Sequence, residues 1–259
     1  MKVCHAIAVV STNLCVYPLL FLWTLFDFFC FPPLFLLWKL VTGWSTQRVM
    51  RFFTWLYGRG WLLLMSPFVR FEREGLEPEK FRAPAILVVN HLSFFDTYCM
   101  ALLPHYDVVF AVRSWPFRML FYRFFMRLAG YLDVESMSWT ECLSAGRRAL
   151  AQPALLLFFP EGHRSHHGRL QRFYSGAFRL ATETGTPLIP LCLAGTDTLL
   201  PPGRWWLQPA RIRLQALDPV DPADFPGPTG HIEMRKTVKQ RMRQTLEDMH
   251  GYAGTESGK

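Results

Sequence analysis

Between Ala6 and Phe26 the chain has no aspartate, glutamate, lysine, arginine or histidine, a run of 21 residues. As a helix such a run reaches about 31 Å, close to the hydrocarbon thickness of a bilayer. Charge is scarce elsewhere too: 19% of residues are charged and 51% hydrophobic, a greasier mean than that of an ordinary soluble enzyme. The six cysteines (Cys4, Cys15, Cys30, Cys99, Cys142, Cys192) form no C-x-x-C pair. That excludes a redox dithiol and a cysteine-based zinc site, and reads as small buried hydrophobes in a reducing compartment. No G-x-S-x-G segment occurs, so a serine acyl-enzyme is not the natural chemistry. Internal repeats and low-complexity tracts are absent as well.

What is present is basic and aromatic. The formal net charge is +8, and aromatic residues make up 15%, with 23 Phe against 9 Trp and 8 Tyr. The lysines and arginines are scattered among Phe, Trp and Leu instead of forming a polar stripe. That pattern suits an anionic membrane surface better than a nucleic acid. A length of 259 residues accommodates one α/β domain with an appendage.

The appendage is N-terminal. After the uncharged run, Asp27 intervenes and Phe28 to Trp38 continues apolar across Pro32 and Pro33 until Lys39. Two arrangements are open: one helix that spans the membrane, or a helical hairpin broken in its second arm by the prolines. A cleaved signal peptide is disfavoured by the length of the apolar region and the lack of a small-x-small site before Lys39. Residues 1–45 are therefore expected to be membrane-embedded. Residues 46–80 follow as a basic amphipathic interfacial segment, with Arg48, Arg51 and Arg59 among Phe52, Phe53, Trp55, Leu56, Trp61 and Leu62.

From residue 81 to 250 the texture alternates. Strands are predicted at Ala85–Asn90, Asp107–Val112, Tyr131–Val134, Ala154–Phe159, Leu188–Cys192 and Arg211–Ala216. Helices are predicted at Ser93–Leu103, Trp115–Leu128, Ser138–Ala151, Gly176–Thr184 and Gly230–Met249, with a flexible tail at 251–259. The fold class is α/β: a largely parallel sheet flanked by helices, preceded by the membrane-embedded helical segment.

Two segments sit at the carboxyl ends of predicted strands, where open α/β sheets bind ligands. They are Asn90-His91-Leu92-Ser93-Phe94-Phe95-Asp96 and Phe159-Pro160-Glu161-Gly162-His163-Arg164-Ser165. On a continuous helix, residues five apart point about 140° from each other and cannot meet. If His91 ends the strand and Ser93 caps the helix, Asp96 falls in the first turn and can orient the imidazole. A His–Asp pair without a protein nucleophile suits direct activation of a substrate hydroxyl. The competing reading of the pair alone is a capping contact without chemistry. In the second segment, exposed N–H groups, a carboxylate and a guanidinium fork suit an anionic ligand. His163, His166 and His167 lie in a turn without a helix signal, so no metal is expected.

Together these segments resemble the 1-acylglycerol-3-phosphate O-acyltransferase (lysophospholipid acyltransferase) family, with its N-H-x-x-x-x-D and later F-P-E-G-x-R-S signatures. The resemblance extends from Pro84 to Pro190. It implies His91 as general base, Asp96 as its orienter, and Glu161, Gly162, Arg164 and Ser165 as the residues that hold the acceptor. It also implies a donor thioester on acyl-CoA or acyl-carrier protein, a lysophospholipid acceptor (1-acylglycerol-3-phosphate above all), and no cofactor or metal. Acyl thioesters are made in the cytoplasm, so the expected location is a bacterial inner membrane with the catalytic domain on the cytoplasmic side, and Lys39, Arg48 and Arg51 after the apolar segment agree with it. Three departures bear on the headgroup: Ser136 stands where the family usually has Arg, His163 replaces a Thr, and the Phe173–Gly176 stretch lacks a common Lys. Arg113, Arg169 or a protonated His163 could replace the missing charge.

Overall fold

The computed structural model describes residues 2–165, 168–201 and 203–256. Helix α1 (Lys2–Thr42) runs without a break through Asp27 and through Pro18, Pro32 and Pro33. The prolines do not divide it; the chain reverses instead at Gly43, whose φ of +66° is a left-handed value that glycine adopts without strain. Ser45 then caps helix α2 (Thr46–Met65), its hydroxyl accepting from Arg48 N at 3.2 Å. The two helices pack antiparallel: Trp38 stacks on Phe52, Phe31 meets Phe53 edge-on, and Trp23 stacks on Tyr57. Gly60 permits the contact, since a Cβ there would lie 2.1 Å from the Trp23 ring.

The composition of α2 suggests a helix lying in a headgroup layer, but its place is different. It is the middle layer, between α1 and the sheet, with Val49, Phe53, Trp61, Leu62 and Met65 buried. Arg51 does not snorkel; it is 2% exposed and donates to Asp107 Oδ1 at 2.5 Å and to the Ala129 carbonyl at 2.9 Å. Arg48 and Arg59 lie over the Trp44 and Trp55 rings. Single-residue patterning cannot tell a basic side chain bound for lipid headgroups from one bound for a buried carboxylate.

The rest of the chain follows in order β1 (Val69–Glu74), β2 (Ala85–Val89), α3 (Asp96–Cys99), β3 (Val108–Val112), α4 (Trp115–Arg118), α5 (Leu120–Ala129), β4 (Leu132–Asp133), α6 (Trp139–Leu150), β5 (Leu155–Phe158), α7 (Gly176–Thr184), β6 (Leu188–Ala194), α8 (Thr196–Leu199), β7 (Ala210–Ala216) and α9 (Gly230–Glu256). The seven strands make one sheet in the order β1-β7-β6-β2-β5-β3-β4. All neighbours are parallel except β6 and β7. The largely parallel sheet flanked by helices is thus observed. β1 was hidden in the basic, aromatic texture before residue 81; the sheet begins at Val69. The helix expected over Trp115–Leu128 divides at Met119, whose backbone is extended. α9 runs past Met249 into the stretch expected to be tail.

Alternate residues of β2, β5 and β6 feed two cores. Leu87, Val89, Leu157 and Leu191 pack on α1 and α2 through Val16, Trp61 and Met65. Ile86, Val88, Leu156 and Cys192 face α6, α7 and α9 on the other side. Cys99 and Cys192 are buried free thiols, whereas Cys15 is exposed, so the small-hydrophobe reading of the cysteines fits only some of them. Outward-facing Leu14, Phe21 and Phe29 of α1 are 71%, 67% and 67% exposed, and residues 6–42 are long and apolar enough to cross a membrane.

The Arg51–Asp107 pair ties α2 to the start of β3, and breaking one side of a buried pair strands the other charge. Asp107→Ala is expected to lower unfolding stability by about 3–5 kcal/mol, while Arg51→Met with Asp107→Leu recovers most of that loss. Denaturant titration of the three proteins measures it; a loss below about 0.5 kcal/mol for Asp107→Ala would place the pair among ordinary surface contacts.

Candidate active site

β2, β5 and β6 are adjacent and parallel, so their carboxyl ends open on one side, and both sequence segments meet there. Asn90 ends β2. Its amide bridges to the neighbouring strand, donating to the Leu193 carbonyl at 2.8 Å and accepting from Leu193 N at 2.7 Å. It extends the ladder by side chain where the backbone must leave it, and so fixes the exit direction of His91.

The loop from His91 to Phe95 wraps around one carboxylate. Asp96 Oδ2 accepts from Leu92 N at 2.6 Å and Ser93 N at 2.9 Å, and lies 2.8 Å from His91 Nδ1. Asp96 Oδ1 accepts from the Thr196 hydroxyl at 2.6 Å, and the aspartate is wholly buried. The sequence places Asp96 correctly in the first turn, but the cap is reversed. The helix starts at Asp96 rather than after Ser93, and the carboxylate holds the loop N–H groups. Four donors converge on this carboxylate, and as the acceptor at His91 Nδ1 it keeps the imidazole proton on that nitrogen. His91 Nε2 has no protein partner among the described residues, and His91 lines the large cavity. The Phe159 ring lies 4.4 Å from the imidazole and restrains its plane.

Glu161 performs a related task from beneath. It is 3% exposed; Oε1 accepts from His91 N and Oε2 from Gln171 N, both at 2.8 Å. Burial raises its pKa, and those two N–H groups oppose the rise. Ser165 is also buried, donating from its N–H to the His91 carbonyl at 2.7 Å and from its hydroxyl to the Arg169 carbonyl at 2.8 Å. Glu161 and Ser165 therefore grip the backbone of His91 on both sides and line no part of the cavity, whereas Gly162 and Arg164 do line it. Gly162 has φ of +70°, and a Cβ there would sit 2.8 Å from the Tyr174 ring. Arg164 is exposed and without a protein partner among the described residues.

The cavity has a volume of about 1800 Å³, well above a usual small-ligand pocket, and its walls are mainly apolar. Phe28 of α1, Phe53 and Tyr57 of α2, Phe110 of β3 and Phe125 of α5 line it, so it runs from His91 out to the N-terminal helices. At the His91 end its rim is charged. Arg113 is paired with Glu135 and touches the His163 ring nitrogen. The Arg113 hydrogen bond, with a second from Ser114 N, holds the Glu135 carboxyl well below the usual range. Ser136 is exposed and turns back to Asp133, its hydroxyl donating to the Asp133 carbonyl at 3.2 Å. Arg169 is exposed and does not line the cavity. Among the described residues no group of three or more His, Cys, Asp or Glu could hold a metal; His166 and His167 lie outside the described residues.

Thr196 was missed by the sequence reading. Only strand pairing brings it beside Asp96, and its sole local sign is Gly195 before it, with φ of +89° and the Arg211 carbonyl 2.0 Å from where a Cβ would stand. Thr196→Val removes one donor to Asp96 and leaves a buried acceptor lone pair unmet. It is expected to cost about 1–3 kcal/mol of stability. Glu161→Gln should cost as much, because an amide offers one acceptor oxygen for two N–H groups. Thermal denaturation checks both; wild-type stability in both would mean that neither side chain holds the loop.

The Acyltransferase family model matches residues 69–194. The chain is 35% identical over 142 residues to a chloroplastic 1-acyl-sn-glycerol-3-phosphate acyltransferase, LPAT1, of Arabidopsis thaliana. That match takes in 53% of this chain and 39% of the relative. A 1-acyl-sn-glycerol-3-phosphate acyltransferase of Pseudomonas aeruginosa is 23% identical over 199 residues, 73% of this chain and 74% of the relative. Among solved structures, the crystal structure of PlsC, the 1-acyl-sn-glycerophosphate acyltransferase of Thermotoga maritima, superposes with a TM-score of 0.70 at 20% identity. It covers 96% of this chain and 97% of that one, and shows a shared fold. The chain spans less than half the length of the plant relative. β1 to β6, the loop at His91 and the loop at Glu161 all lie inside the residues that are similar to the acyltransferase family.

Proposed function

We propose that this protein is a glycerolipid O-acyltransferase that moves a fatty acyl chain from an acyl thioester, acyl-CoA or acyl-carrier protein, to the free hydroxyl of a lysophospholipid, with 1-acylglycerol-3-phosphate as the acceptor and phosphatidic acid as the product. The observation that carries this reading is an imidazole held at Nδ1 by a buried carboxylate, with Nε2 unpartnered among the described residues, on the wall of a large apolar cavity.

The reaction follows from that geometry. His91 Nε2 takes the hydroxyl proton as the acceptor oxygen attacks the thioester carbonyl, and the Asp96 carboxylate stabilises the imidazolium that forms. The tetrahedral adduct collapses with cleavage of the C–S bond. The thiolate leaves readily, since a free thiol has a pKa of roughly 8.5, and takes the proton from Nε2. No protein nucleophile is acylated. The apolar cavity suits the acyl chains, while Arg164 and the Arg113–Glu135 pair at the rim suit an anionic headgroup.

The exposed apolar side of α1 supports membrane association. Contacts from Asn13, which bonds the Leu207 backbone, to Trp38, stacked on Phe52, cover about 38 Å of the helix. A helix held to the domain over that length has little left to cross a bilayer, so on this reading α1 lies along the membrane with its outer side in the acyl layer. Acyl thioesters are cytoplasmic, which puts the domain on the cytoplasmic side, of the inner membrane in a bacterium. Lys39 and Arg48 agree with that side, whereas Arg51 is buried and carries no topological information.

His91→Ala is expected to reduce acyl transfer to near background in a folded protein. Asp96→Asn should lower kcat by several orders of magnitude with little change in acceptor KM, about as for a misoriented triad histidine. Assays with labelled acyl thioester and a lysolipid panel measure this; near-normal transfer in both folded variants would remove His91 and Asp96 from the mechanism. A phosphate monoester carries nearly two charges, and Ser136 offers no cation to meet the second. Ser136→Arg should therefore raise kcat/KM for lysophosphatidic acid relative to lysophosphodiesters by about tenfold, as one added charge-assisted contact would. An unchanged ratio with intact turnover would show that position 136 does not read the headgroup.

A further inference from the structure

Two tryptophans on the molecule have no task in the fold or at the site. After α8 the chain from Gly203 to Leu207 reads Gly-Arg-Trp-Trp-Leu, and Trp205 and Trp206 are 86% and 63% exposed. Trp61, by contrast, is 3% exposed within the core. An indole carries a large apolar area that is costly to leave in water, and two side by side are unusual on a surface without a partner.

The segment that carries them is firmly held. Leu199 and Leu207 are both fully buried in the core that α1 and α2 share with the sheet, and Gln208 N donates to the Leu199 carbonyl at 2.8 Å. The Asn13 side chain, itself buried, donates to the Leu207 carbonyl at 2.8 Å and accepts from Leu207 N at 2.9 Å. The Tyr17 hydroxyl donates to the Trp205 carbonyl. Asn13 and Tyr17, two polar residues of the uncharged run Ala6–Phe26, are thus spent on presenting this loop, while neighbouring Val10 and Leu14 stay exposed. The indoles stand at the N-terminal part of α1, on the side of the sheet where the apolar helices lie.

Their position relative to the cavity gives them a use. The α1 residues that line it, from Thr24 to Pro33, begin about 10 Å beyond Tyr17 along the helix. At the other end Trp38 is half-exposed. Indoles therefore flank the lipid-side edge of the cavity. We propose that the Gly203–Leu207 loop is a second membrane anchor, in which Trp205 and Trp206 enter the headgroup layer and level α1 so that the cavity opens onto lipid. Indoles favour that layer, and Arg204 beside them suits anionic headgroups. The inference rests on the membrane association proposed above and goes beyond it in assigning a loop 188 residues distant from Tyr17 in sequence to the same surface.

The test uses the full chain and vesicles of phosphatidylcholine and phosphatidylglycerol. Trp205→Ser with Trp206→Ser should keep wild-type thermal stability and bind vesicles on the order of tenfold more weakly. Its kcat/KM on vesicle-borne lysolipid should fall in proportion, and its rate on a short-chain lysolipid below its micellar concentration should stay unchanged. Quenching of tryptophan fluorescence by brominated lipids should drop between wild type and variant. Leu14→Glu with Phe21→Glu serves as the control for α1. If that control loses vesicle binding while the tryptophan variant binds and is quenched like wild type, the loop is no anchor and membrane association stands. If wild type does not bind vesicles at all, both readings fall.

Discussion

The buried carboxylate of Asp96 is the point on which the site depends. Its two oxygens take donors from His91, Leu92, Ser93 and Thr196, so one side chain joins the end of β2, the loop after it and the turn after β6. A carboxyl group with no exposure is tolerable only because every donor is in place, and the same requirement makes the loop adopt one conformation. The imidazole is oriented as a consequence. Glu161 repeats the principle one layer down, with a buried carboxylate that meets two backbone N–H groups and holds the histidine's own backbone. The site is thus rigid around His91 and open along the apolar cavity.

That division follows the architecture. The strand ends supply the rigid part, since β2, β5 and β6 are buried on both faces by the two cores. The open part is built by the N-terminal helices, which add an apolar wall to a cavity that the sheet alone would leave shallow. α1 consequently has two faces with different work: one packs on α2 and lines the cavity, and the other remains uncovered.

Much of this was legible in the sequence, for local reasons. Ala85–Val89 and Leu155–Phe158 are short apolar runs flanked by polar turns, which marks them as strands with His91 and Glu161 beyond their carboxyl ends; that the two strands are neighbours is seen only in the fold. The five-residue spacing from His91 to Asp96 already required a chain reversal. What escaped is what depends on partners far away in sequence. β1 is legible only through its pairing with β7, and its mixed sequence resembles the basic helix before it. Arg51 looks like an interfacial residue until Asp107 is beside it. Thr196 becomes a donor to Asp96 only across 100 residues. The signature also groups Glu161 and Ser165 with Arg164, whereas burial separates residues that hold the histidine from those that face the cavity.

On the proposed mechanism Asp96 fixes the His91 tautomer so that Nε2 faces the cavity as a base. Nitrogen NMR on protein labelled at its histidine rings, with the His91 signals assigned by their loss in His91→Gln, reads that state directly. The expected result is a proton on Nδ1 and a free lone pair on Nε2, with that pattern disturbed in Asp96→Asn. A proton on Nε2 and a free lone pair on Nδ1 in the wild-type protein would overturn that mechanism.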